Sequence, residues 1–283
     1  MPAMTYASTF YAIINAGLKP ILVDINEDNP LISIKNIKRK INKNTKVIIP
    51  VHLYGSVVDI GALKKEISKD IFIIDDCAQA HGAKFQNGNR VGGENVSHIS
   101  TFSLYPGKNL GAYGDAGIIT TNSFNLFNRI KKIRNIGATK KFNHETIGYN
   151  NRMDTIQASI LIHKLDRLKI LNKKRSSISK FYIKKINNPK IKFLNYTKYA
   201  VFHQFVIKVK NRNNFINYMS KNKIETGQHY PHTINQMKFY KKNFKDIRFP
   251  NSEKLAKECV SLPIDPMLKK KEINFIVKTI NNF

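Results

Sequence analysis

The chain predicts an α/β fold built on a mostly parallel sheet, and three observations predict it. Short apolar runs at residues 47–55, 71–74 and 99–102 alternate with segments of helical spacing, the pattern of parallel strands joined by crossover helices. Two of these runs end in polar or turn residues, Asp75-Asp76 and Ser103-Leu104-Tyr105-Pro106-Gly107-Lys108, at the strand ends where α/β proteins carry their chemistry. A length of 283 residues, 42% hydrophobic and 24% charged, suits a globular chain with one large domain and one small one.

In order, residues 7–17 read as a helix closed by Gly17, followed by an apolar run at 20–23 ending at Asp24. Residues 47–55 read as a buried strand leaving through Gly55, with His52 as a satisfied core histidine. Residues 61–68 have helical spacing and 71–74 form the next buried strand. Gly111, Gly114 and Gly117 lack dinucleotide-fingerprint spacing and read as a turn into a strand at 118–121. Residues 123–136 read as a basic helix with Phe124, Leu126, Phe127, Ile130 and Ile133 on its apolar side, ended by Gly137 and a polar loop at 138–146. Asp154 reads as the N-cap of a long helix reaching residue 186, with a stripe of Ile156, Ile160, Leu161, Leu165 and Leu168. Beyond it follow a strand at 201–210 and helices at 212–221, 252–259 and 270–280.

The formal net charge of +29 raises the question of nucleic acid, but the lysines are spread along the chain and mixed with Asn and Ile, as an A- and T-rich genome would produce. Helix-turn-helix spacing, zinc-finger ligands and a ribonucleoprotein aromatic motif are missing, so a basic nucleic-acid binder is a minor alternative. No apolar run reaches the ~18 residues of a membrane span, and no leader-like pattern opens the chain. Cys77 and Cys259 lack CxxC partners and read as reduced residues of a cytoplasmic protein, with no metal site.

Lys108 stands apart from the other Lys and Arg residues through its company. Ser103 lies five residues before it, and Asp75-Asp76 with Gln79 end the preceding strand. Successive strand side chains face opposite ways, so one aspartate of the pair faces a ligand and the other the opposite side. An amine, a carboxylate and small hydroxyl or amide donors are the minimum set for pyridoxal 5'-phosphate (PLP) chemistry: lysine as Schiff-base nucleophile, carboxylate against the protonated pyridine nitrogen.

The stretches IIDDCAQAHGAKF and STFSLYPGKNLGAYGDAGIITTN, with PAMTY, PVHLYG, GYNNRMD and ETGQHYP, resemble the DegT/DnrJ/StrS family of PLP-dependent nucleotide-sugar aminotransferases, in family order along the whole chain. The resemblance implies the fold of fold-type I PLP enzymes, with residues 1–186 as the large PLP-binding domain plus connecting helix and 187–283 as the small domain. It implies Lys108 as nucleophile and proton carrier, Asp76 at the pyridine nitrogen, Gln79 near the phenolic oxygen, Ser103 on the phosphate and Tyr6 over the ring face. Asn150 and Arg152 are implied to reach the phosphate of a neighbouring subunit, hence a homodimer. His81, His229 and Tyr230 are weaker substrate contacts, with a structural role for His81 equally open. Lysine at position 108 implies amino transfer, from glutamate to a keto carbon of a nucleotide-linked deoxysugar for surface polysaccharide assembly. Relatives carry chain before PAMTY, including a Gly-Thr or Gly-Ser helix start that holds the phosphate. The resemblance therefore implies an N-terminally shortened member, and a fragment that keeps the fold but binds PLP poorly is the alternative to an active enzyme.

Overall fold

The computed structural model describes every residue of the chain except 94–95 and 245–246. Its first layer is a four-stranded sheet in the order β1 (Val47–Ile48), β2 (Phe72–Asp76), β3 (Ile99–Ser103), β4 (Gly117–Thr120). The first three strands are parallel and β4 returns antiparallel, so the sheet is mixed and mostly parallel. Helices α1 (Ala7–Asn15), α2 (Ile34–Lys40) and α3 (Ile60–Lys65) belong to this half. Ser33 and Asp59 begin α2 and α3 by accepting hydrogen bonds from the main chain three residues on, the ordinary N-cap arrangement. The core beneath is apolar, with Ile60, Leu63, Ile73, Cys77 and Ala80 inaccessible to solvent.

After β4 come α4 (Phe124–Ile133), capped by Ser123, and a hairpin of β5 (Ala138–Lys140) and β6 (Asn143–His144). The hairpin replaces the expected polar loop. Its turn has Phe142 at φ 65°, a left-handed conformation that composition does not announce for phenylalanine. The long helix α5 (Thr155–Lys185) is present over the predicted span, but the Asp154 side chain makes no cap hydrogen bond. Its predicted stripe is split: Leu161 and Leu168 are buried, whereas Ile156 and Leu165 face solvent.

A second sheet, β7 (Ile191–Phe193), β8 (Phe205–Val209) and β9 (Cys259–Leu262), is antiparallel throughout. Its core joins Phe205, Ile207 and Val260 to Ile178 and Tyr182 of α5, Phe215 and Met219 of α6 (Arg212–Lys221), and Ile276 and Ile280 at the chain end. Helices α7 (Lys238–Asn243), α8 (Pro250–Glu258) and α9 (Lys270–Asn281) complete the chain. Cys259, read from sequence as the end of a helix, instead opens β9.

One buried carboxylate ties the two ends of the chain together. Asp24 accepts hydrogen bonds from the main-chain N–H of Asn251 at 3.0 Å and of Ser252 at 2.8 Å, and from the Ser252 hydroxyl at 2.6 Å. It thereby serves the free N–H groups in the first turn of α8, where Pro250 has none to offer. Asp24→Ala strands these donors away from water, and urea unfolding is expected to show a loss of about 3 kcal/mol.

Candidate active site

The site forms where β2 and β3 end side by side. Asp76, the last residue of β2, pairs in register with Thr101 of β3, two residues before Ser103 and the turn that carries Lys108. The strand extends two residues further than the apolar run suggested, so both aspartates are strand residues and leave opposite faces. Asp75 is fully buried in the core and Asp76 is half-buried on the other side. The turn is closed by the Lys108 N–H donating to the Tyr105 carbonyl at 2.8 Å. Gly111 lets the chain fold back, since a Cβ there would collide with the Pro106 carbonyl oxygen.

Asp76 is held from two sides. Thr9 of α1 donates to Oδ2 at 2.7 Å and the Ala78 N–H to Oδ1 at 3.1 Å. Lys108 makes no side-chain hydrogen bond or ion pair among the described residues. Burial lowers its pKa, and the nearby charge of Asp76 pulls it part of the way back. An amine so placed is a better nucleophile and proton acceptor than a surface lysine.

Around this pair stand several buried polar groups. Gln79 accepts from the Tyr54 N–H and donates from Nε2 to the Tyr230 hydroxyl at 2.9 Å. Tyr6 is exposed and its ring lies 5.7 Å from that of Tyr230, tilted by 42°. Burial raises the pKa of Tyr230, Gln79 opposes the shift, and the charge of Asp76 adds to it. His229 is fixed by a 2.8 Å contact between Nδ1 and the Ser261 hydroxyl, while the Tyr54 hydroxyl donates to its carbonyl oxygen. Burial and then Lys108 lower the His229 pKa. The Ser103 hydroxyl accepts only a long 3.4 Å contact from the Tyr105 N–H, which leaves its proton free for a ligand.

His81 is buried against Phe102, with ring centroids 5.4 Å apart, and among the described residues neither of its nitrogens has a hydrogen-bond partner. Burial, then the charge of Lys108, hold its pKa down at about 4, with the neighbouring Ser103 main chain opposing. A folded value below the unfolded ~6.5 means that the unfolded chain takes up the proton first. Stability is therefore expected to fall as pH drops from about 6.5 to about 4, by up to about 3 kcal/mol from this group. Urea unfolding at the two ends of that window checks it, and His81→Gln should flatten the slope by that amount.

Three contributors were absent from the sequence reading: Thr9, Asn109 and His203. Asn109 follows Lys108 and donates to Asn172 of α5 at 2.9 Å and to the Val201 carbonyl at 3.1 Å, while its Oδ1 faces His203 Nδ1 at 3.2 Å. Burial holds the His203 pKa well below the usual range, followed by the charge of Lys108. Asn150 and Arg152 are not brought to Lys108. Both are exposed and tied to the segment after α4, Arg152 Nη1 donating to Asn135 Oδ1 at 2.9 Å and Asn150 bridging Asn135 through the main chain.

The donor set fits a pyridoxal-type cofactor: a half-buried amine without a partner, an oriented carboxylate, a free serine hydroxyl and an exposed aromatic ring. Relatives agree. The chain is 40% identical to a dTDP-3-amino-3,6-dideoxy-alpha-D-galactopyranose transaminase of Aneurinibacillus thermoaerophilus, a match covering all of this chain and 78% of that protein. It superposes on the crystal structure of DesV from S. venezuelae, solved with a ketimine intermediate, with a TM-score of 0.95 at 31% identity, covering 100% of this chain and 76% of that one. A chain described as a sugar aminotransferase from Streptococcus pneumoniae, solved in a PLP form, matches with a TM-score of 0.90 at 25% identity, over 99% of this chain and 79% of that one. With a family model matching residues 1–281, the chain belongs to the DegT/DnrJ/EryC1/StrS aminotransferase family.

Proposed function

We propose that the chain is a PLP-dependent aminotransferase that moves an amino group from glutamate to the keto carbon of a nucleotide-linked deoxysugar, for surface polysaccharide assembly. The observation that carries this reading is the nearness of the Lys108 amine, without a hydrogen bond or ion pair among the described residues, to the doubly held Asp76 carboxylate at the end of one sheet. PLP, when bound, supplies an electron sink that lets a carbon beside nitrogen lose and regain a proton.

The protein supplies the rest. Asp76 would hold a proton on the ring nitrogen, its oxygens kept in place by Thr9 and the Ala78 N–H. Lys108 Nζ, kept short of full basicity by burial, would take and return the proton. Gln79, held by the Tyr54 N–H and the Tyr230 hydroxyl, would offer its amide toward the phenolic oxygen. Tyr6 would pack on the ring, a contact worth about 1 kcal/mol. Ser103 would donate to the phosphate. His229, kept neutral by burial, would offer a ring nitrogen to a hydroxyl of a sugar, with Tyr230 on the same wall, whereas the inaccessible ring nitrogens of His81 favour the structural role for that residue.

Asn150 and Arg152 serve the phosphate of a second copy, which makes the working unit a homodimer. Support comes from exposed apolar side chains in the stretch of chain that precedes them: Phe124 is 74% exposed, Phe142 84% and Ile147 88%. Phe124→Glu with Ile147→Glu is expected to turn a dimer into a monomer in sedimentation, with loss of activity; a double variant that stays dimeric would contradict this interface. Residues 1–186 and 187–283 are proposed as the large and small domains. The two cysteines are free and buried, in keeping with a cytoplasmic setting, and among the described residues no helix is long and apolar enough to cross a membrane.

The test supplies PLP, glutamate and a dTDP- or UDP-linked keto sugar, and follows the products by mass spectrometry. An aminated nucleotide sugar with matching 2-oxoglutarate is expected. PLP uptake without amination of any nucleotide-linked keto sugar would overturn the substrate class, and no PLP uptake would overturn the reading as a whole.

A further inference from the structure

The His52–Asp75 pair, on the core side of the same strand end, has no part in the chemistry above. Both residues are fully buried, Nε2 and Oδ2 lie 3.6 Å apart, and among the described residues neither Nε2 nor either Asp75 carboxyl oxygen has a hydrogen bond. The other ring nitrogen decides the tautomer. The Val58 N–H donates to His52 Nδ1 at 3.0 Å, so Nδ1 presents a lone pair and Nε2 carries the proton.

Three consequences follow. His52 is neutral and points an N–H at Asp75. Nε2 has no lone pair for a metal, although ligand atoms of His52, Asp75 and Cys77 lie within 4.8 Å of one another. A proton on Asp75 would find no acceptor in His52, since the nitrogen facing it is itself a donor. The geometry thus gives Asp75 a donor to face in an apolar core and, on His52, no acceptor for a proton of its own.

Asp75 precedes Asp76 directly and leaves the opposite face of the strand, so it lies behind the carboxylate on which the Lys108 charge acts. The main chain is equally fixed, the His52 N–H donating to the Asp76 carbonyl at 3.0 Å and the Asp76 N–H to that of Pro50 at 2.9 Å.

We propose that Asp75, steadied by His52, is a second negative charge behind Asp76 that strengthens the hold on the proton at the pyridine nitrogen, making it a positioning residue in the electrostatic sense. This rests on the PLP reading of the site. The test loads the protein with PLP labelled with 15N in the ring and follows the ring-nitrogen NMR shift against pH. In Asp75→Asn the deprotonation midpoint is expected to fall by about one pH unit or more. In His52→Gln, which still offers an N–H, it should stay close to the parent value.

An Asp75→Asn protein with parental PLP content and unfolding temperature but an unchanged midpoint overturns the proposal, leaving the pair as packing. Should that variant fail to fold, the side-chain carboxyl 13C shift of Asp75 in the unaltered protein decides. A carboxylate value at neutral pH supports the proposal, and an acid value overturns it. Stoichiometric zinc in the purified protein, lost in His52→Gln, also overturns it. Failure of the unaltered protein to take up PLP removes the underlying reading, an outcome distinct from an unmoved midpoint.

Discussion

Replacing Lys108 by alanine is expected to lower the transamination rate by at least about a thousandfold while leaving the fold in place. The side chain is half-buried at a turn and makes no hydrogen bond or ion pair among the described residues, so its removal costs little packing. What is lost is the nucleophile and the group that carries the proton, and proton transfer by a positioned side chain contributes roughly 10²–10⁴-fold by itself. Steady-state rates together with the visible absorbance of the PLP-loaded protein check this. The Lys108→Ala protein should lose the band given by a PLP–lysine linkage, and its unfolding temperature should stay within a few degrees of the parent. A variant that kept the band would place the reactive amine elsewhere.

The second large effect is at Asp76. Asp76→Asn keeps an oxygen for Thr9 or the Ala78 N–H, so its geometry should survive while its charge does not. What the variant lacks is the group that would hold a proton on the pyridine nitrogen and so keep the cofactor an electron sink. The rate is expected to fall by roughly 10²–10³-fold, the usual cost of removing one preorganised electrostatic partner. The sign of a further change is fixed: the charge of Asp76 raises the Lys108 pKa, so that pKa should drop further in Asp76→Asn. A pH profile whose amine limb moves to lower pH agrees with this, and one that moves to higher pH does not.

Periodicity and turn chemistry made part of the site legible in the sequence, and the family resemblance supplied the roles of Asp76, Gln79, Ser103, Tyr6, His229 and Tyr230. Strand alternation alone separates Asp75 from Asp76, and the structure puts the first in the core and the second at the site. The Pro-Gly turn before Lys108 likewise announces a residue at a strand end. Thr9 and His203 could not be found this way. Thr9 reaches Asp76 across 67 residues and His203 faces Asn109 across 94, and hydrogen bonds of that span leave no local pattern. The stripe on α5 was visible as a period, but which of its residues are covered depends on packing partners that a helix period does not name. Leu161 is buried while Ile156 is 74% exposed. The Asp154 cap failed for a related reason: the residue type is right for the position, yet its side chain accepts no capping bond from the helix N–H groups.

The central claim is that the Lys108 amine and the Asp76 carboxylate address one ring from its two ends. Incubation with PLP, reduction with borohydride and peptide mapping by mass spectrometry test it most directly. One pyridoxyl group per chain is predicted, on Lys108, with its yield cut sharply in Asp76→Ala. A label spread over surface lysines, or one on Lys108 that is indifferent to Asp76, would contradict the account.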